Sequence, residues 1–329
     1  MALNLEQLEA VAAIVRAGFS ISAAAAALDR SQPALSRQVQ ALERTLGVRV
    51  FVRTRNKVAG LTPRGEDILR IGQRMLRDAR SLVEVGRADA VDDAAAGGEL
   101  KVATTHLHAR YLLPRVMKSF AARFPGVTLT LRQGDPLRCC ELVAVGEADI
   151  GITTVGERHS ADIVAIPAFR VARCVIVPRG HPLAREKQLT LKKLAAFPLV
   201  AYSAPYSGRR IVDDTFARVG LKPRIVCSAI DADVSKTYVE TGMGIAILAA
   251  IAFDPVRDRG LVALDAGHLF APSVLHLVMR RHAYPGRHAL AFVGRFAPQV
   301  DAGFIRRCID GADFDRARLA REAPPAARQ

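Results

Sequence analysis

Three short stretches of this 329-residue chain place hydroxyl groups where strands give way to helices. Thr104, Thr105 and His106 follow the apolar run "LKVATT", Leu100 to Thr105. Thr153 and Thr154 close "ADIGITT", and Ser207 with Gly208 opens a helical pattern after "AYSAPYSG". Each offers hydroxyls or backbone N–H groups, and none offers a carboxylate. In α/β folds ligands sit beyond the carboxyl ends of strands, near helix N-termini. Such a set suits a small oxyanion or a polar acid.

Other chemistry is less well supported. His106-x-His108 puts two rings on one face of a strand, but no neighbouring Cys or carboxylate completes a metal shell. Asp231, Asp233 and Lys236 read as a helix N-terminus with acids favoured by the dipole and an i,i+3 pair, near enough to line a cleft. No G-x-x-x-x-G-K-[ST] loop and no G-x-S-x-G elbow occurs. The five cysteines (139, 140, 174, 227 and 308) show no C-x-x-C spacing and read as free thiols in packed positions. No metal and no cofactor is expected.

The elements that must position these groups fall into zones. Residues 1–60 read as short helices followed by a basic end, and residues 61–91 as one long helix. "DDAAAGGE", Asp92 to Glu99, reads as a hinge. From about 98 to 305, strands alternate with helices, which predicts parallel sheets with crossover helices in two α/β lobes. Strands are expected at "LKVATT", "VTLTLRQ", "ADIGITT", "CVIVP", "PLVAYS" and "RIVCSA". Helices are expected over Tyr111–Phe124, Arg138–Val145, Arg209–Val219 and Asp233–Glu240. The charged, Ala- and Pro-rich tail, 311–329, is expected to be disordered.

The N-terminal zone is the most explicit. In "FSISAAAAALDRSQPALSRQVQALE" a nearly bare alanine helix can sit close to its neighbours. Ser31 then caps a helix whose first turn holds Pro33. Along it Leu35, Val39, Leu42 and Leu46 face one way. Pro33, Arg37, Gln40 and Arg44 face the other, flanked by Gln32 and Ser36. That is a helix-turn-helix, Phe19 to Gln38, with the alanine helix as brace and the second helix as reader. "GVRVFVRTRNKVAGLTPRG" adds a two-stranded wing around Asn56. Between Arg30 and Arg64, eight Arg or Lys residues stand against the single acid Glu43. Gln32, Pro33, Ser36, Arg37 and Gln40 are the expected base-side face, with Ser31 at its start also in the DNA-binding set, while Arg30, Arg53, Arg55 and Arg64 are expected on phosphates. In the long helix, Ile68, Met75 and Leu82 and the parallel row Leu69, Leu76 and Val83 recur every seven residues. Such rows suit a rod of about 40 Å packed against a second copy.

The formal net charge of +15 fits a polyanionic partner. No apolar run approaches the roughly 18 residues of a membrane helix, and Glu6 and Glu9 interrupt any signal pattern. The chain is therefore expected in the cytoplasm, away from membranes. Two classes of function remain. One is a DNA-binding regulator; the other is a two-lobed small-molecule binding protein or enzyme without DNA binding, in which the first 90 residues would have no purpose.

"SAAAAALDRSQPALSRQVQALERTLGVRVFVR" with "LTPRG" resembles the DNA-binding end of LysR-type transcriptional regulators. "ATTHLHARYLLP", "RQGDP", "GEADIGITT", "YSGR" and "DADVSKTYVETGMGIAIL" are similar to the CysB-like branch, and the likeness spans roughly residues 3–305. The resemblance implies a winged helix-turn-helix, a linker helix and a two-lobed effector domain like a periplasmic binding protein. It implies a non-enzymatic activator of sulfur assimilation that binds double-stranded promoter DNA, engages RNA polymerase and assembles from homodimers into a homotetramer. The implied effector is sulfate, acetylserine or a related small anion. Carried over, the effector set falls on Thr105, Thr154 and Ser207, with Thr104, His106 and Gln133 beside them. Leu107 and His108 stand where the branch commonly has Thr and Gln, which changes the donors offered.

Overall fold

The computed structural model describes residues 3–54, 57–86, 97–156, 159–204 and 206–326, apart from the side chains of Arg80 and Glu84. The chain forms two compact units, residues 1–90 and 91–329. Most of the "DDAAAGGE" stretch and the residues around Asn56, Arg55 included, lie outside the described residues.

The first unit is built from α1 (Leu5–Arg16), α2 (Ile21–Ala27) and α3 (Gln32–Leu46). The hairpin β1 (Phe51–Thr54) and β2 (Lys57–Leu61) follows, then α4 (Pro63–Gly86). Gly18 turns the chain out of α1 at φ 61°, and the Ser20 hydroxyl caps α2. Ala24 and Ala25 are buried against Leu35, Val39 and Leu42 of α3. Their methyl groups let the helices approach closely, while Ala23, Ala26 and Ala27 are exposed. Glu43, the lone acid of the basic stretch, accepts from the backbone N–H groups of Val50 (2.8 Å) and Phe51 (3.3 Å). It thereby fixes the start of the wing. Thr62 caps α4, and a Cβ on Gly65 would lie 2.0 Å from the Val50 carbonyl oxygen. Only glycine lets α4 start this close to the wing.

On α4 the two seven-residue rows part company. Ile68, Leu69 and Leu76 pack onto the core of this unit. Ile71, Met75, Leu82, Val83 and Val85 are exposed. At 100° per residue Ile71, Met75, Leu82 and Val85 form one stripe along the rod.

The second unit begins with β3 (Gly98–Thr104), α5 (His106–Tyr111), α6 (Leu113–Arg123), β4 (Val127–Gln133), α7 (Pro136–Ala144), β5 (Ile150–Thr154) and β6 (Ile163–Val171). The chain then crosses to a second lobe: β7 (Arg173–Pro178), α8 (Leu191–Ala195), β8 (Leu199–Tyr202), α9 (Ser207–Ala217), β9 (Ile225–Ala229), α10 (Ala232–Glu240), β10 (Ile245–Ala249) and β11 (Leu261–Asp265). It returns through β12 (Ser273–Arg280), α11 (Arg287–Phe296), α12 (Ala302–Ile309) and α13 (Arg316–Glu322). The sheet orders are β4-β3-β5-β12-β6 and β11-β7-β10-β8-β9.

The expectation of parallel sheets is only half met. β3 runs parallel to β4 and β5, and β8 to β9 and β10. β12 pairs antiparallel with β5 and β6, and β7 with β10 and β11. The departures are the strands beside the two passages between lobes. β6 and β12 escaped the sequence reading because β6 carries Pro167, which supplies no N–H, and the ladder shifts register opposite it, between Leu275 and His276.

The tail also differs from expectation. Residues 316–322 form α13, capped by Asp315. The backbone N–H of Arg170 donates to Pro324 (2.8 Å), and that of Ala326 donates back to Arg170 (2.7 Å). The tail so covers the free edge of β6, and these backbone bonds offset its polar composition. Cys139 and Cys140 pack in an apolar cluster with Ala103, Val143 and Val278. Burial pushes their thiols up to about 12 and about 11, so they are core groups.

Candidate functional site

In the first unit, the reading face is laid out by one helix. Leu35, Val39 and Leu42 are buried, and Ser31, Gln32, Pro33, Arg37 and Gln40 are exposed on the far side, with Ser36 half-buried between. The Ser31 hydroxyl accepts from the Ala34 N–H at 3.3 Å, so its side chain is used as the cap. Arg53 on the wing and Arg64 at the start of α4 are exposed. Gln40, Arg44, Arg49 and Arg53 rim an open groove between α3 and the wing. Arg44 and Arg49 stand beside Arg53 there; the sequence placed Arg44 on the outward face of α3 and showed only the charge of Arg49. Arg30 departs from expectation. Its guanidinium is half-buried, 3.4 Å from Glu6 and 4.0 Å from Glu9, and Glu6 also accepts from Gln38 at 3.2 Å. Arg30 thus ties α1 to the turn.

In the second unit, a pocket opens between the lobes. The carboxyl ends of β3, β5 and β8 bring Thr105, Thr154 and Tyr202 to it. His106, Leu107 and His108 enter from α5, and Ser207 and Gly208 from the start of α9. Six of the expected ligand residues are therefore assembled: Thr105, His106, Leu107, His108, Thr154 and Ser207.

Two are not. Thr104 is fully buried, and its hydroxyl donates to the Ile152 carbonyl at 2.8 Å. Adjacent strand residues point to opposite faces, so Thr104 and Thr105 cannot both face the pocket. Gln133 ends β4, the outer strand of its sheet, and is exposed away from the pocket lining.

His108 takes a role other than that of a pocket donor. It is buried, and desolvation pushes its pKa down to about 4 against an opposing hydrogen bond to the Ile152 carbonyl; nearby Arg173 lowers it further. The ring is neutral at physiological pH. Its Nδ1 lies 2.9 Å from the Thr105 hydroxyl. With the other ring nitrogen donating to Ile152, Thr105 donates to Nδ1 and presents lone pairs to the pocket.

Sequence reasoning missed Arg173, Tyr202, Tyr206 and Ser273, which all line the pocket. Arg173 is 3% exposed, and its Nη2 donates to the Ser273 hydroxyl. No motif marks it; only the meeting of β7, β8 and β12 gives it meaning.

Beside the pocket runs a buried polar cluster. Lys236 donates to the Tyr111 hydroxyl (2.9 Å), the Ala252 carbonyl (2.9 Å) and both Asp258 oxygens (3.0 and 2.9 Å). Burial opposes its charge, but Tyr111 and Asp258 outweigh burial and raise its pKa. Tyr111 donates to Asp233 at 2.6 Å, and Arg110 lies 3.0 Å from the same carboxylate. Asp231 caps α10 and lines the pocket. The carboxylates absent near His106 in sequence are supplied by Asp231 and Asp233, with donor atoms within 4.8 Å of one another. Arg110 and Lys236 already balance Asp233, so the trio reads as an ion-pair network.

Residues 5–66 match the bacterial regulatory helix-turn-helix protein, lysR family, and residues 93–301 match the LysR substrate binding domain. This chain belongs to the LysR family. It is 41% identical to the HTH-type transcriptional regulator SsuR of Burkholderia cenocepacia, covering 93% of this chain and 100% of the relative. It is 39% identical to the HTH-type transcriptional regulator CysB of the same organism, covering 94% and 98%. The crystal structure of the cofactor-binding domain of the Cbl transcriptional regulator superposes with TM-score 0.64 at 37% identity, covering 68% of this chain and 98% of that one. The LysR regulator thus lies in the CysB-like branch. It is a DNA-binding transcriptional regulator and not an enzyme, and its C-terminal unit is a small-molecule effector domain. Among the described residues no single helix is long and apolar enough to cross a membrane.

Proposed function

We propose that this regulator activates sulfur-acquisition genes from the cytoplasm in response to a small anionic, sulfur-linked effector. Two heads read a broken palindrome in promoter DNA. Gln32, Pro33, Ser36, Arg37 and Gln40 face base edges, and Arg44, Arg49, Arg53 and Arg64 take phosphates. The α4 stripe of Ile71, Met75, Leu82 and Val85 joins two copies, and dimers pair into tetramers. Effector binding between the lobes shifts their closure, which resets head spacing, DNA bending and contact with RNA polymerase.

The observation that carries this reading is the division of α3: a fully apolar side locked into the head and a polar side left free. The pocket supports the sensory half, because it collects hydroxyls, helix N–H groups and a cation between two lobes. A gel shift at two salt concentrations tests it. Heads that neutralise about six phosphates lose about 10³-fold in affinity between 50 and 200 mM salt. A specific complex with that slope, altered by sulfate or acetylserine, is the expected result. Absence of binding at low salt would rule out the DNA-reading role.

A further inference from the structure

Arg173 is a buried cation without an anion. Among the described residues it makes no ion pair; its Nη2 donates to Ser273, and its Nε has no partner. A lone guanidinium held out of water is costly unless something of opposite charge meets it. Three other features point into the same space. The Tyr202 hydroxyl is buried without a partner. The Ser207 hydroxyl sits 3.5 Å from that of Ser273. The start of α9 has no side-chain cap, and it lies against the guanidinium: a Cβ on Gly208 would stand 3.0 Å from Nη1 and 3.3 Å from Nη2. Donors from β7, β8, α9 and β12 converge here, and two of them, Arg173 Nε and the Tyr202 hydroxyl, have no acceptor.

The rest of the lining sets the ligand's charge and shape. Arg173 is the buried positive charge of the pocket, His108 is neutral, and Asp231 contributes a negative charge at the wall. With one buried cation and a carboxylate at the wall, a dianion leaves one more unpaired charge out of water than a monoanion does. Leu107, Pro136, Val171, Ile230 and Ala249 make much of the wall apolar. Donors arriving from several sides suit a tetrahedral three-oxygen head better than a planar one.

We propose that Arg173 is the charge anchor of this pocket and that the pocket selects a singly charged organic oxyanion, a sulfonate on a short aliphatic tail, over free sulfate. The proposal rests on reading this pocket as the effector site.

Calorimetry on the full chain tests it with sodium sulfate, butanesulfonate and pentanoate at matched ionic strength. Butanesulfonate should bind at least about tenfold tighter than sulfate, because the apolar wall adds burial that sulfate lacks. Pentanoate should fall between them if the head geometry matters; equal binding of both organic anions would overturn the sulfonate preference. Arg173→Met should weaken butanesulfonate at least about 100-fold while leaving the thermal midpoint of the free protein unchanged or higher, since it removes an unpaired buried charge. Arg173→Lys should recover part of the loss, lacking the two-pronged fork. A structural arginine would behave in the opposite way, with a lowered midpoint and intact binding. Sulfate binding as tight as butanesulfonate, no binding of any probe, or wild-type binding by Arg173→Met would each overturn the proposal. Arg173-dependent binding without any change in a DNA footprint would instead sink the effector reading alone. A footprint that answers sulfate equally in the wild type and Arg173→Met would sink the anchor and spare the effector reading.

Discussion

His108 makes the effector unit acid-labile by a predictable amount. Burial lowers its pKa from the ordinary 6.5 to about 4 in the folded protein. Between those values the unfolded chain binds a proton that the folded chain refuses. The contribution to stability is therefore fully present above pH 6.5 and is lost as pH falls toward 4. At pH 5 the linkage relation gives a loss of about 2 kcal/mol relative to pH 8. His108→Gln replaces the ring with a group that can still accept from Thr105 and donate to Ile152, but cannot titrate. Urea unfolding at pH 8 and pH 5 is the assay, followed by tyrosine fluorescence. The chain has no tryptophan, and all five tyrosines (111, 202, 206, 238 and 284) lie in the second unit, so the signal reports that unit alone. His276, also pushed down to about 4 by burial first and Arg316 next, titrates in both proteins and cancels in the difference. The wild type should lose about 2 kcal/mol more than His108→Gln between the two pH values. Equal losses would refute a neutral, buried His108.

Other perturbations follow from particular contacts. Gly65→Ala drives a methyl group into the Val50 carbonyl and should destabilise the head by about 1–3 kcal/mol, read as faster hydrogen exchange across residues 50–65; unchanged exchange would refute the close approach. Asp258→Ala strips Lys236 of its main carboxylate and should cost about 3 kcal/mol in the tyrosine-detected unfolding, far more than an exposed pair would. Leu82→Glu, on an exposed stretch of α4, should leave the fold intact and shift sedimentation toward monomer; an unaltered assembly would move the dimer contact elsewhere.

What the sequence made legible follows physical range. The α3 face could be read because its cap, proline and apolar spacing are all local. The pocket hydroxyls at 105, 154 and 207 could be read because strand ends and helix starts are local too. Thr104 could not be separated from Thr105 without knowing which strand face is buried. Arg173 sits in "VARCVIVP", where a single arginine beside an apolar run carries no signal; its isolation is created by residues 202, 208 and 273. The tail at 311–326 looked too polar to order, yet it is held by backbone bonds to β6, which composition does not report. Arg30 looked like one more phosphate contact because its partners Glu6 and Glu9 lie more than twenty residues upstream.

The central claim is that the free side of α3 reads DNA bases. Selecting duplexes from a random library with the full chain, then repeating the selection with Arg37→Ala, measures it most directly. The account predicts enrichment of a two-half-site sequence by the wild type. Arg37→Ala should lose at least about tenfold in discrimination, in line with one base contact of about 1–3 kcal/mol, while keeping salt-sensitive nonspecific binding. Enrichment of the same sequence to the same extent by the variant, or no enrichment by the wild type, would contradict it.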